Sequence, residues 1–195
     1  MKTAVAVLLS ALTVTAFAAD LKLGDGIPLA GTKMKNVDGK SIAIADVAGK
    51  KGTLVIFTCN HCPFVKAWEE RMAALGNTYH SQGIGTIMLN PNDPAVAGDT
   101  FEGMQERAKA RGFNFPYVVD AGSTVAKAFG ATRTPEIFLF DNAGKLVYHG
   151  AVDDNKDAGN VKQSYLKDAI EALLAGKEIA TKTTKAIGCS IKFYK

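Results

Sequence analysis

Residues 53–63 read TLVIFTCNHCP, in which an unbroken apolar run leads directly into two cysteines separated by two residues. The run at 53–57 is rich in β-branched residues and has no polar break, which predicts a strand buried on both faces, as in a parallel sheet. After Pro63, apolar side chains recur at three- and four-residue steps, which predicts a helix over 63–82. A proline suits the first helical turn because its missing N–H is not needed there.

The two cysteines, Cys59 and Cys62, therefore lie at a predicted junction between a strand and a helix. Residues three apart in a first helical turn share one face, so their sulfurs can bond. The helix N-terminus also presents unpaired N–H groups and a partial positive charge, both of which stabilise a thiolate. We expect Cys59, at the tip, to be the exposed nucleophile and Cys62 to be the more buried resolving thiol of a disulfide-exchange cycle.

Other polar residues could assist this chemistry. A partly protonated His61 would stabilise the Cys59 thiolate and make the disulfide more oxidising, or it is only a polar residue at the helix start. Asp153 and Asp154 could supply a proton-transfer base, although exposed turn residues need no function. A structural zinc ion is not expected, because it needs four ligands and the chain has neither a second such cysteine pair nor a histidine pair.

The rest of the chain alternates strands with helices, which predicts one domain with a mixed sheet covered on both faces. An Asp-Gly turn at 38–39 indicates an N-terminal hairpin. Further strands are expected at 84–89, 117–119, 136–140 and 146–148, and further helices at 98–111, 124–129 and 161–175.

The N-terminus has the pattern of an export signal. Residues 1–18 combine Lys2, a short apolar run and a small-x-small ending, which predicts a cleavable secretory signal peptide. An uncleaved anchor is the less favoured alternative, because the run is short for a membrane span. We expect a periplasmic or secreted protein, not stably inserted in a membrane, in a compartment where disulfides persist. The remainder divides into a domain at 19–178 and a tail at 179–195, and its interspersed charges predict a solvated surface without nucleic-acid binding.

Several motifs are similar to one known group. The segment 57–66 (FTCNHCPFVK) resembles the thioredoxin-like proteins of the AhpC/TSA (redoxin) group, as do 133–141, 148–155 and the ending at 188–192 (GCSIK). The resemblance covers residue 21 to the end. It implies a thioredoxin fold, a three-layer α/β/α sandwich with a mixed central sheet and an N-terminal β-hairpin. It also implies a thiol–disulfide oxidoreductase that exchanges electrons with protein thiols and disulfides and with an electron-exchange partner. We expect no bound cofactor or metal, and the sequence indicates no oligomeric state.

The resemblance also implies roles for residues distant from the motif. It implies a cis peptide bond between Thr134 and Pro135 that faces the cysteines, with the Thr134 backbone available to bind an extended substrate beside Cys59. From the sequence alone, a trans proline at the start of a strand is the commoner arrangement. The resemblance places the tail beside the site, where Cys189 could pair with Cys59 or Cys62. The alternative is a free or intermolecular thiol in the tail.

A thiol peroxidase of the peroxiredoxin type is a first alternative function. Cys59 would attack a hydroperoxide, Cys62 or Cys189 would resolve the product, and Arg133 would serve as the cation. Peroxiredoxins place a threonine three residues before the attacking cysteine, whereas Ile56 occupies that position relative to Cys59, and this departure disfavours a dedicated peroxidase.

A copper-binding or copper-delivery protein is a second alternative. Thiolates and imidazole together suit copper, so Cys59 and Cys62 with either His61 or His149 would form the site. Copper-delivery relatives of this fold usually have a longer gap between their cysteines, which makes this the weaker alternative.

Overall fold

The apolar run before the cysteines forms the middle of the sheet in the computed structural model, which describes residues 21–96 and 98–195. Strand β3 (Gly52–Phe57) pairs in parallel with β4 (Ile84–Asn90) and antiparallel with β7 (Glu136–Asp141). All six residues of β3 are buried, as predicted for a strand covered on both faces. The predicted signal peptide lies outside the described residues.

Seven strands form one mixed sheet in the order β2-β1-β5-β4-β3-β7-β8. The N-terminal strands pair as the predicted hairpin, with Met34 opposite Ile42, and extend the sheet beyond β5. This arrangement confirms the predicted mixed central sheet and its hairpin extension. The remaining strands of the sheet are β1 (Met34–Asn36), β2 (Ser41–Ile42), β5 (Tyr117–Val119) and β8 (Leu146–Gly150).

Helices cover both faces of the sheet and complete the predicted three layers. Alternate residues of β3 point to opposite sides, so Leu54 and Ile56 pack in one core and Val55 and Phe57 in the other. The first core includes residues of α1, α2 and α4, and the second includes residues of α3. The helices are α1 (Pro63–His80), α2 (Phe101–Arg111), α3 (Thr124–Phe129) and α4 (Tyr165–Leu174).

The chain after α4 runs back along the domain. Thr183 bridges to His149 of β8, and the short strand β9 (Cys189–Ser190) pairs antiparallel with β6 (Arg133–Thr134). The side chains of Ile179 and Ile191 are buried, so apolar contacts fix the tail at both ends. This path brings Cys189 opposite Thr134 in the register of the β6–β9 pair. Within the described part of the chain, no helix combines the length and apolar character needed to span a bilayer.

Candidate active site

The cysteine motif occupies the turn between β3 and α1. Cys62 is the N-cap residue of α1, with Pro63 at the first helical position, as the sequence predicted. The two thiols are near enough that each shifts the pKa of the other, which places both sulfurs at the helix N-terminus. Both cysteines are fully buried, each with 0% of its surface exposed. The predicted exposure of Cys59 is therefore wrong, because the turn packs against β6 and β9 instead of projecting from the surface.

The loop at β6 faces the two sulfurs. The Thr134–Pro135 bond is cis, as the resemblance implied and contrary to the commoner trans arrangement. The Thr134 hydroxyl lies 3.2 Å from Cys59 Sγ, and its carbonyl oxygen lies 3.3 Å from Cys62 Sγ, where it accepts a hydrogen bond from the thiol. Thr134 is fully buried, so these contacts are shielded from water. One residue thus contacts both members of the predicted redox pair.

The environment favours Cys62 as the thiolate of the reduced pair. The hydrogen bond from Cys59 lowers the pKa of Cys62 to about 4, against the opposing effect of burial, with further support from the Cys189 thiol and the Val65 N–H. The same hydrogen bond to Cys62, together with burial, raises the pKa of Cys59. A negative charge is stabilised best where N–H groups converge at a helix N-terminus. This direction of the pKa shifts differs from the expected one, and the assignment of the thiolate to Cys59 stays a prediction.

A buried aspartate, Asp99, holds the residues between the cysteines. Its carboxylate accepts a hydrogen bond of 2.6 Å from the Asn60 N–H and one of 2.7 Å from Asn92 Nδ2, and it lies 2.5 Å from His61 Nδ1. One nitrogen of His61 is within 4.8 Å of Cys59 Sγ, so His61 lies beside Cys59 as predicted, with Nδ1 bound to Asp99. Sequence reasoning missed Asp99, because a loop aspartate 37 residues after Cys62 carries no local signal of this contact.

Asn60 is bound by two further residues. Arg107 of α2 donates to its carbonyl oxygen at 2.7 Å, and the Tyr117 hydroxyl donates to its side-chain oxygen at 2.8 Å. Arg107 also binds both oxygens of buried Glu69 at 2.8 Å, and Arg111 binds Glu69 at 2.6 Å. These bonds join α1, α2 and β5 to the cysteine turn. The turn is thus held by a network of charged and polar groups, which sequence reasoning did not detect.

The tail contributes the third cysteine to the site. Cys189 packs against the core cluster that contains Cys59 and Cys62, and its thiol hydrogen-bonds the Cys62 thiol. Arg133, which the peroxidase alternative used as a cation, donates from Nη1 to the Gly188 carbonyl oxygen at 3.0 Å. The tail position implied by the resemblance is therefore the observed one, with Cys62 as the neighbour of Cys189.

The two aspartates proposed as proton-transfer bases have different environments. Asp153 is buried, not exposed as expected, and accepts 2.6 Å hydrogen bonds from Trp68 Nε1 and Arg71 Nη1. Asp154 accepts a hydrogen bond from the Lys162 N–H at 2.9 Å, and bonds from this segment lower its pKa. These contacts tie the loop after β8 to α1 and to the segment before α4.

One group of side chains has a spacing suited to a metal ion. Ligand atoms of Cys59, His61 and Asp99 all lie within 4.8 Å of one another. Of the copper ligands expected from the sequence, Cys59 and His61 belong to this group. His149 has a different partner, Glu136 Oε1 at 2.8 Å from its Nε2.

A cysteine pair at a helix start, faced by a cis-proline loop on a mixed sheet, defines a thioredoxin-like protein. The Redoxin family model matches residues 22–169, and the chain belongs to that family. It is similar to the thiol-disulfide oxidoreductase ResA of Halalkalibacterium halodurans, with 28% identity over 114 residues. That match covers 58% of this chain and 61% of the relative, so the chain spans about three fifths of the relative's length.

Solved structures support the same fold. The crystal structure of a hypothetical protein from Sinorhizobium meliloti 1021 superposes with a TM-score of 0.83 and 35% identity, covering 90% of this chain and 97% of the other. The solution structure of a thioredoxin-like protein in its oxidised form superposes with a TM-score of 0.65 and 20% identity, covering 81% of this chain and all of the other. The second likeness shows the thioredoxin-like fold alone.

Proposed function

We propose that this protein is an exported thiol–disulfide oxidoreductase in which Cys59 and Cys62 form the redox pair. The observation that carries the proposal is the contact between the two thiols at the N-terminus of α1, with Thr134 bound to both. Sulfurs in contact need little movement to form a disulfide. The similarity to ResA proteins, which are thiol-disulfide oxidoreductases, supports the same reaction class.

The reaction transfers two electrons and two protons between the pair and a partner dithiol. In the oxidising direction, a partner thiolate attacks the disulfide, one protein sulfur leaves, and a mixed disulfide forms. The second partner thiol then attacks this bond, which releases an oxidised partner and a reduced protein. When the partner attacks Cys59, Cys62 is suited to leave as a thiolate because the Val65 N–H donates a hydrogen bond to it.

The proposed partners are protein thiols and disulfides outside the cytoplasm, together with an electron-exchange partner. The motif at residues 1–18 supports export to the periplasm or beyond, where such thiols can be oxidised. The proposed function involves no nucleic-acid partner and no stable insertion in a membrane after cleavage of the signal peptide.

The reduction potential of the purified protein against glutathione tests the proposal. We expect a reversible couple, identified by mass spectrometry as Cys59–Cys62 and lost in Cys59→Ser. A stabilised Cys62 thiolate favours the reduced form of the pair. Its reduction potential should therefore lie nearer about −120 mV, at the oxidising end of the range of thiol–disulfide proteins, than about −270 mV, at the reducing end. The absence of a reversible couple, or a couple that survives Cys59→Ser, would contradict the proposed pair.

The second candidate function is copper binding, and the cluster of Cys59, His61 and Asp99 favours it. A sulfur, an imidazole nitrogen and a carboxylate oxygen form a mixed ligand set, of which the first two suit copper. Titration of the reduced protein with Cu(I) tests this function. Stoichiometric binding that is lost in both Cys59→Ser and His61→Ala would support it, whereas binding unchanged in His61→Ala would exclude this ligand set.

Peroxide reduction is a further candidate activity of the reduced protein. The sequence indicated Cys59 as the attacking residue, whereas the lowered pKa of Cys62 favours Cys62, since a thiolate is the form that attacks a hydroperoxide. The Arg133 guanidinium binds the tail carbonyl at Gly188, which does not favour a role as the cation at the sulfur. Consumption of hydrogen peroxide by the reduced protein, with loss in Cys62→Ser, would make the peroxidase the leading function.

A further inference from the structure

The proposed redox pair has no exposed sulfur through which to meet a protein partner. Cys59 and Cys62 each have 0% of their surface exposed, and Thr134, which contacts both, is also fully buried. Thiol–disulfide exchange requires direct contact between the attacking and the attacked sulfur. Partner exchange therefore needs either movement of the cover or a third thiol that reaches the surface.

Cys189, in the tail, occupies the position that such a third thiol would need. It is partly exposed, and it lies opposite Thr134 in the β6–β9 pair. It packs against the core cluster that contains Cys59 and Cys62, and its thiol and backbone N–H are near enough to the Cys62 sulfur to lower the pKa of Cys62. Cys62 thus contacts Cys59 and Cys189, and the three cysteines of the chain form one cluster.

The tail is held in this position by close packing. A side chain at Gly188 would overlap the Thr134 carbonyl, so glycine permits the approach of the tail to the cis-proline loop. The Ile191 N–H donates to the Thr132 carbonyl at 2.9 Å, and Lys192 N–H donates to Asn92 Oδ1 at 2.7 Å. Contacts on both sides of Cys189 therefore fix its sulfur beside Cys62.

We propose that Cys189 is a further catalytic residue, the thiol that carries the disulfide from the buried pair to a protein partner. This inference rests on the proposed redox function. Cys189 attacks Cys62 in the Cys59–Cys62 disulfide, the Cys62–Cys189 bond forms, and Cys59 leaves and takes up the proton that Cys189 lost. A partner thiolate then attacks Cys189, Cys62 leaves as a thiolate, and the second partner thiol releases Cys189. The sum is one disulfide transferred from the protein to the partner dithiol, with no other oxidant.

The charge state of Cys62 matches this order of steps. In the reduced protein, burial, the hydrogen bond to Cys62 and the Cys62 charge raise the pKa of Cys189 to about 11. When Cys62 is in a disulfide with Cys59, its charge is absent, so this contribution to the raised pKa of Cys189 is removed. Cys189 is thus a better nucleophile when the disulfide that it attacks exists.

Two measurements on the purified protein test the relay. The first is peptide mapping of Cys59→Ser after equilibration with oxidised glutathione, in which we expect a Cys62–Cys189 disulfide. The second is the rate at which the oxidised protein oxidises a reduced, unfolded protein substrate such as ribonuclease A. We expect Cys189→Ser to lower this rate at least about tenfold, because the partner loses its accessible sulfur. The adjacent Ser190→Ala is the matched control and should leave the rate unchanged.

The outcomes separate the relay from the proposed function. A reversible Cys59–Cys62 couple in Cys189→Ser, with an undiminished rate toward ribonuclease A, would overturn the relay and leave the redox pair intact. A faster rate in Cys189→Ser would also overturn it, since the tail would then act only as a cover. Failure of the Cys59–Cys62 couple in the wild-type protein would instead remove the proposed function itself.

Discussion

Replacement of Asp99 by asparagine should destabilise the reduced protein by about 3–5 kcal/mol. The carboxylate accepts hydrogen bonds from Asn60 and Asn92 and binds His61, and it is buried. The asparagine side chain keeps one acceptor oxygen. Its NH₂ group replaces the second oxygen and faces a hydrogen-bond donor. At least one charged hydrogen bond, of about 1.5–3 kcal/mol, is lost, and leaving a buried donor unpaired adds about 1–3 kcal/mol.

Urea unfolding of the reduced protein measures this loss. With a slope of about 2 kcal/mol per molar urea, the midpoint should fall by roughly 2 M. Asp93→Asn is the matched control, because Asp93 lies in the same loop and its Oδ1 accepts a hydrogen bond from the nearby Ala95 N–H. Its substitution should change stability by about 0.5 kcal/mol or less. A loss in Asp99→Asn within 1 kcal/mol of this control would refute the argument that Asp99 holds the cysteine turn.

Three further substitutions or titrations probe the same region. The pKa of Cys62 is lowered on folding, so the Cys62 thiolate stabilises the reduced state fully above the unfolded value of about 8.5. This stabilisation should be lost as the pH falls through about 4. Ultraviolet absorbance of the thiolate measures the titration, with Cys62→Ser as the control. Glu69→Gln leaves two guanidinium groups without a buried carboxylate and should lower the free energy of unfolding in urea by about 3–5 kcal/mol. The control Glu70→Gln changes an exposed carboxylate and should lower it by about 0.5 kcal/mol or less. Equal losses in the two variants would contradict the role of burial. Tyr117→Phe removes the donor to Asn60 Oδ1 and should cost about 1–3 kcal/mol by the same measurement, so a neutral result would show that this bond does not stabilise the turn.

The sheet was predictable because its signals are local. The run at 54–57 is apolar at both alternate sets of positions, which favours a strand buried on both faces, and β3 is that strand. The Asp-Gly turn joined the predicted hairpin of β1 and β2, and the spacing after Pro63 matched α1. In each case a short segment contained both the periodicity and the residue that ends it.

The environment of the cysteines was predictable only in part. The junction of strand and helix placed Cys59 and Cys62 correctly, since it depends on adjacent residues. Their burial and the identity of the thiolate depend on groups far along the chain, namely Asp99 and Cys189, which lie 37 and 127 residues after Cys62. Helix geometry alone favours a thiolate at the exposed tip. Donors from Cys59 and from the tail instead converge on Cys62.

The same groups that stabilise the Cys62 thiolate also exclude partners from it. The Cys189 N–H and thiol lower the pKa of Cys62 because they are close and water is displaced, and that closeness is what buries the sulfur. A thiolate stabilised by mobile solvent would be accessible, but it would lack these fixed donors. A site of this kind can react with a protein either after the cover moves or through a covering group that is itself reactive. Cys189 has both properties, because it helps to lower the pKa of Cys62 in the reduced state and is itself a partly exposed thiol residue.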